Sequence, residues 1–188
     1  MLIGSLAIML LALIAPFAAD PAELPLEPAR QVEYEVSSGT FMSLAISPDG
    51  RTILFDMLGE LYAIPANGGR ARPIATGIAF ETQPAFSPDG TWITYVSDRS
   101  GGDNVWIARA DGSGARRISA EDEGAIRTSP EWSADGKSVF VSRYRIRLDR
   151  YELWRHPVGA GEAELVAPGR TGATSSASPA PTGCRHSS

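Results

Sequence analysis

Ser47-Pro48-Asp49-Gly50, Ser87-Pro88-Asp89-Gly90 and Ser133-Ala134-Asp135-Gly136 are three copies of one turn, and their recurrence decides how the chain folds. The serines are spaced 40 and then 46 residues apart. An apolar residue precedes each copy (Ile46, Phe86, Trp132), and a strand-like run follows it. Those runs are Thr52-Ile53-Leu54-Phe55, Trp92-Ile93-Thr94-Tyr95-Val96 and Ser138-Val139-Phe140-Val141. The turn chemistry fits a chain reversal. Proline presets φ for the second position of a type I turn, Asp accepts local backbone hydrogen bonds at the third, and Gly takes the positive φ that follows. Ala134 gives up only the proline preset, so the third turn is expected to form as well.

Each unit continues into a third strand with an aromatic at the matching place: Tyr62, Trp106 and Trp154. Gly-rich turns come next (Asn67-Gly68-Gly69, Asp111-Gly112-Ser113-Gly114, Gly159-Ala160-Gly161), and then short fourth strands are expected over 72–75, 116–119 and 164–167. Four short strands in roughly 40–45 residues, without helical periodicity, are the signature of a propeller blade. In the second copy Ile93 and Tyr95 fall on one face of the strand, and Trp92 and Val96 on the other. A sheet covered on both sides needs that pattern. The expected architecture is all-β: an incomplete β-propeller of three four-stranded antiparallel blades in an open arc. The blades span 39–77, 80–120 and 127–167, with Trp132 a further blade aromatic.

Over about residues 39–167 the chain resembles TolB-type propellers, the Pro-Asp-Gly variant of the WD40-like repeat. Gly39-Thr40-Phe41-Met42-Ser43 and Leu58-Gly59-Glu60-Leu61-Tyr62 resemble the first blade of large exported amidohydrolases. Gly77-Ile78-Ala79-Phe80-Glu81-Thr82-Gln83-Pro84 and Ser97-Asp98-Arg99-Ser100-Gly101-Gly102-Asp103-Asn104 follow the same pattern. In that family a propeller accompanies a metal-dependent hydrolase domain, and an amino-terminal strand often latches the ring; residues 31–36 suit that role. The resemblance thus implies the propeller portion of a truncated hydrolase. Blades four onward and the hydrolase domain are missing from the sequence, so no metal ligand is carried over to any residue.

Residues 2–19 carry no charged side chain, and the first Lys or Arg is Arg30. Residues 1–19 therefore read as a signal peptide; an uncleaved membrane anchor is the rival, since ~18 residues just span a bilayer. A Pro-rich linker over 20–30 follows. The expected location is periplasmic or secreted, with membrane contact only through the first segment. From Pro168 onward, 17 of 21 residues are Gly, Ala, Ser, Thr or Pro, a composition that cannot bury a core. The tail 168–188 is expected to be disordered, either a genuine linker or the product of a frameshift or truncation.

Few residue patterns in the chain point to catalysis or ligand binding. A net charge of -5 argues against nucleic acid, whose binding needs clustered cations, and Arg116-Arg117 reads as solvated surface. Cys184 is the only cysteine, so no internal disulfide can form. Of the two histidines, His156 beside Pro157 is expected on the surface or packed on a turn, and His186 falls in the tail. Gly-x-Ser-x-Gly and His-x-His are both absent. Asp98, Asp103 and Asp111 lack calcium-loop spacing and read as backbone caps. The expected role is a non-catalytic interaction scaffold without metal or cofactor. Its partner would be a protein or peptide, or the missing downstream blades. The alternatives are the front of an amidohydrolase or, more distantly, of a prolyl-oligopeptidase-like peptidase. Each end of an open arc would expose an apolar face of about 400 Å² or more, beyond what soluble monomers usually tolerate; self-association or marginal stability is the expected result.

Overall fold

The computed structural model describes residues 38–39, 42–119 and 124–169. The expected targeting segment, linker and latch strand, together with Cys184 and His186, lie outside the described residues. The chain forms three four-stranded antiparallel sheets, each with its strands in sequence order. Blade 1 holds β1 (Leu44–Ile46), β2 (Thr52–Met57), β3 (Glu60–Pro65) and β4 (Arg72–Ala75). Blade 2 holds β5 (Glu81–Phe86), β6 (Trp92–Ser97), β7 (Asn104–Arg109) and β8 (Arg116–Arg117). Blade 3 holds β9 (Ala125–Trp132), β10 (Ser138–Arg145), β11 (Arg150–Pro157) and β12 (Glu164–Pro168), with a single 3₁₀ turn, Ile146–Leu148, between β10 and β11. This is an open, incomplete propeller.

The three repeat turns share one set of hydrogen bonds. In the first, the Ser47 hydroxyl donates to Asp49 Oδ1 at 2.6 Å and accepts from Thr52 N at 2.9 Å, while Asp49 Oδ1 also accepts from Arg51 N. The same bonds recur at Ser87/Asp89/Trp92 and at Ser133/Asp135/Ser138. In each, the glycine N–H donates to the serine carbonyl, with φ of 70° at Gly50, 71° at Gly90 and 69° at Gly136. Ala134 does not disturb the third turn, because the bonds come from serine, aspartate and glycine. The bonds hold the three Asp carboxyls below the usual carboxylate range, Asp89 at about 2.

Register fixes which side chains face which neighbour. β2 pairs with β3 so that Phe55 opposes Tyr62 and Leu54 opposes Ala63; β6 pairs with β7 so that Tyr95 opposes Trp106; β10 pairs with β11 so that Val141 opposes Trp154 and Val139 opposes His156. With period-two alternation, every blade has a rear face toward the blade before it and a forward face toward the blade after it. Leu54, Leu61 and Ala63 on the forward face of blade 1 bury against Ile93, Tyr95, Trp106 and Ala108 on the rear of blade 2. Val105 and Ile107 on the forward face of blade 2 bury against Val139 and Val141 on the rear of blade 3. Blade 2 is covered on both sides, as the two-sided apolar pattern of its second strand required.

Two strand expectations need correction. β8 ends at Arg117 rather than continuing to residue 119. The Ser119 side chain replaces the ladder there: its hydroxyl accepts from Val105 N at 2.9 Å and donates to Asn104 Oδ1 at 2.8 Å. β12 extends through Pro168, which pairs with Glu152, so the expected tail begins inside a strand.

Candidate interaction surface

Two kinds of polar device recur, one between blades and one within a blade. The first uses a left-handed residue on the first strand of a blade. Gln83 (φ 54°) and Ser129 (φ 53°) each precede the turn serine by four positions. The pairing shifts around both, and their N–H groups turn toward the preceding blade. Gln83 N donates to Asp56 Oδ2 at 2.8 Å, and the Thr82 hydroxyl donates to the same oxygen at 2.7 Å. Asp56 Oδ1 accepts from Ser43 N at 2.9 Å, so this one buried carboxylate gathers donors from two blades. One step along the arc, Ser129 N donates to Gln83 Oε1.

The second device is a buried carboxylate held by arginine beside the repeat aromatic. In blade 2, Glu81 accepts from Arg99 Nε at 3.1 Å, and the Arg99 guanidinium lies 5.0 Å from the Trp106 ring centroid. In blade 3, Glu152 accepts from Arg143 Nη2 at 2.7 Å, from Arg150 and from Trp154 Nε1 at 2.9 Å, with Arg143 4.1 Å over the Trp154 ring. Burial raises the carboxyl of Glu81 despite its arginine. Burial also pushes Glu152 upward, but its hydrogen bonds to Trp154, Arg143 and Arg150 prevail and hold it at about 2.

The residues singled out from the sequence fall into two sets. The turn residues line one rim, where successive turns stack: a Cβ on Gly90 would meet Pro48 Cδ at 3.3 Å, and one on Gly136 would lie 3.9 Å from Pro88 Cδ. The aromatics sit in the blade interfaces. Trp106 is buried, and Trp132 Nε1 donates across to Ala85 O at 3.3 Å. Tyr62 instead lies on the uncovered rear face of blade 1, stacked on Phe55 with centroids 5.8 Å apart. His156 is not on the surface. It is 5% exposed, placed between blades 2 and 3, and Nδ1 has no hydrogen-bond partner. Burial, with Arg127 nearby, lowers it to about 4.

Asp98 caps Phe80 N and Asp111 caps Ser113 N. No such bond forms at Asp103, whose carboxyl is raised by burial and by Asp98. Among the described residues, no three His, Cys, Asp or Glu side chains converge as metal ligands would, and no helix there is long and apolar enough to cross a membrane.

Among the described residues, no blade covers the arc's two end faces. The rear of blade 1 presents Leu44 (63% exposed) and Ile46 (59%) beside Ile53, Phe55 and Tyr62. The forward face of blade 3 presents Phe140, Tyr151 (60%) and Leu153 (39%). Ile53 and Phe55 take the places of Ile93 and Tyr95, and Leu153 that of Leu61 and Val105, all of which bury in the internal interfaces; Tyr151 falls where the other blades carry Gly59 and Asp103.

Comparison with known proteins agrees with this geometry. The chain is 31% identical to Tricorn protease homolog 1 from Streptomyces coelicolor over 66% of its own length and 12% of that protein. It is 34% identical to an uncharacterized protein from Agrobacterium fabrum over 51% of its length and 34% of that protein. The chain therefore spans well under half of either relative. Among solved structures, TolB from Agrobacterium tumefaciens superposes with a TM-score of 0.60 at 22% identity, over 72% of this chain and 53% of that one. TolB from Acinetobacter baumannii gives 0.56 at 20%, over 70% and 33%. The family model of the TolB β-propeller domain matches residues 27–184, and the chain, folded into three four-stranded blades, belongs to the TolB β-propeller family.

Proposed function

We propose that this chain is a non-catalytic protein-interaction module of an exported protein, and that it works by offering its end faces to a partner that completes the propeller. The observation that carries the reading is the pair of uncovered faces with apolar side chains at interface positions. Contiguous exposed apolar side chains mark interaction sites in soluble proteins. The uncharged run over residues 2–19 supports export to the periplasm or beyond, where TolB-type propellers would be at home. A direct test is to immobilise the chain and compare what it retains from an envelope extract with what an Ile46→Asp variant retains. A protein captured by the first and lost from the second supports the reading; identical retention by both removes it.

A second reading is favoured by the match to Tricorn protease homolog 1, of which the chain covers 12%. Here the blades are the propeller portion of a longer hydrolase, of peptidase or amidohydrolase type, and gate or position its substrate. Sequencing the coding DNA from the Glu164 codon onward, in all three frames, separates the two. Further Ser-x-Asp-Gly repeats followed by a hydrolase motif favour the second; a confirmed stop after Ser188 favours the first.

A further inference from the structure

We infer that the partner is a second copy of this chain, and that two arcs close head to tail into one six-bladed ring. The inference rests on the reading above and deepens it by naming the occupant. Blade interfaces here are directional. Each of the two internal contacts mates a forward face with a rear face, never like with like. The faces left over are one of each kind: the rear of blade 1, with Ile46, Ile53 and Phe55, and the forward face of blade 3, with Phe140, Tyr151 and Leu153. A second copy supplies both complements at once. Its forward face covers the rear of the first blade, and the twofold axis repeats the contact on the other side. Each new contact continues the internal interfaces of the arc: Ile53 and Phe55 stand where Ile93 and Tyr95 bury in blade 2, and Leu153 where Leu61 and Val105 bury in blades 1 and 2.

Blade count agrees with closure. Three blades here match 53% of the Agrobacterium tumefaciens TolB chain, which leaves that chain room for about three more. Once one contact forms, the second becomes intramolecular and gains from a high effective concentration. Like-with-like pairing of blade 1 on blade 1 would cover one face per copy and leave the other open.

The test is sedimentation equilibrium of the full chain together with two charge insertions at exposed positions, Ile46→Asp on the rear of blade 1 and Leu153→Asp on the forward face of blade 3. The expected result is a discrete species at twice the 20.0 kDa chain mass. Either variant alone becomes monomeric, since each ring contact includes one altered face. Mixing the two variants restores a dimer, because one untouched pair of faces remains, and that restoration also shows that both variants are folded. A monomeric wild-type chain, open-ended polymers, or loss of the dimer in one variant without rescue on mixing would each overturn the inference. A wild-type monomer that still captures a different protein through the Ile46 face would leave the interaction reading standing, whereas one that captures nothing would remove both.

Discussion

The contact between blades 1 and 2 and the contact between blades 2 and 3 use the same repeat positions but are held in different ways. The first gathers large side chains, Tyr95 and Trp106 against Leu54 and Leu61, around the single carboxylate of Asp56. In the second, Val141 stands where Tyr95 stands and His156 where Ala108 stands, so volume lost at one place is returned at its neighbour. Exchanges of that kind are what packed cores tolerate best. The smaller apolar set of Val105, Ile107, Val139 and Val141 is accompanied by scattered hydrogen bonds: Arg127 to Asp103 O at 2.9 Å, Trp132 to Ala85 O, and Arg116 to Val158 O. A repeat can thus keep its backbone geometry while changing the currency of its interface from aromatic packing to dispersed polar bonds.

The largest effect should come from breaking the aromatic side of that contrast. Trp106→Ala is expected to cost about 3–5 kcal/mol in urea unfolding, with blade 1 losing its seat. Val139→Ala in the second interface should cost about 1–2 kcal/mol, two methyl groups plus a partial cavity. Equal losses at the two sites would erase the distinction. Asp56→Ala strands three donors and is expected to cost about 2–3 kcal/mol. Gln83→Ala, which removes only the acceptor for Ser129 N, should cost about 1 kcal/mol.

The second interface should also be the one that responds to mild acid. His156 is lowered from 6.5 to about 4 by burial. The unfolded chain takes up a proton below pH 6.5 that the native chain refuses, so stability falls as pH drops from 6.5 toward 4. A His156→Phe variant followed by thermal melts between pH 7 and 5 should lose that slope, whereas Trp106→Ala should keep it. Glu152 adds a second loss further down, as pH falls from 4.5 through about 2. The smallest effect is a gain. Ala134→Pro places the missing ring in a turn that already has the right bonds, and should add about 0.4–1 kcal/mol.

The turns, the strand order and the paired apolar faces were all legible in the sequence, because each is set by residues within a few positions of one another. Ser47, Ser87 and Ser133 were marked as part of the motif, yet the hydroxyl bridge that each makes to Asp and to the following strand adds a role beyond the expected chemistry of proline, aspartate and glycine. The interface chemistry was not legible. Asp56 and Gln83 lie 27 positions apart, and neither has a local signature that points to the other. Gln83 and Ser129 adopt a left-handed backbone that glycine or asparagine would have announced. His156 was expected on the surface or packed on a turn because its neighbour is Pro157, but it is buried beside Ile118 and Arg127, which arrive from elsewhere in the chain.

Among the described residues, blade 2 is the sheet with a blade of its own chain on both sides, and that arrangement has a consequence in time. In the unpaired arc each unit touches only the next, so opening begins at the ends and moves inward. Amide protons in β6 and β7 should therefore be the last to trade with solvent deuterium, and those in β1 and β12 the first. If the molecule is caught between folded and unfolded, the part still standing will be its middle.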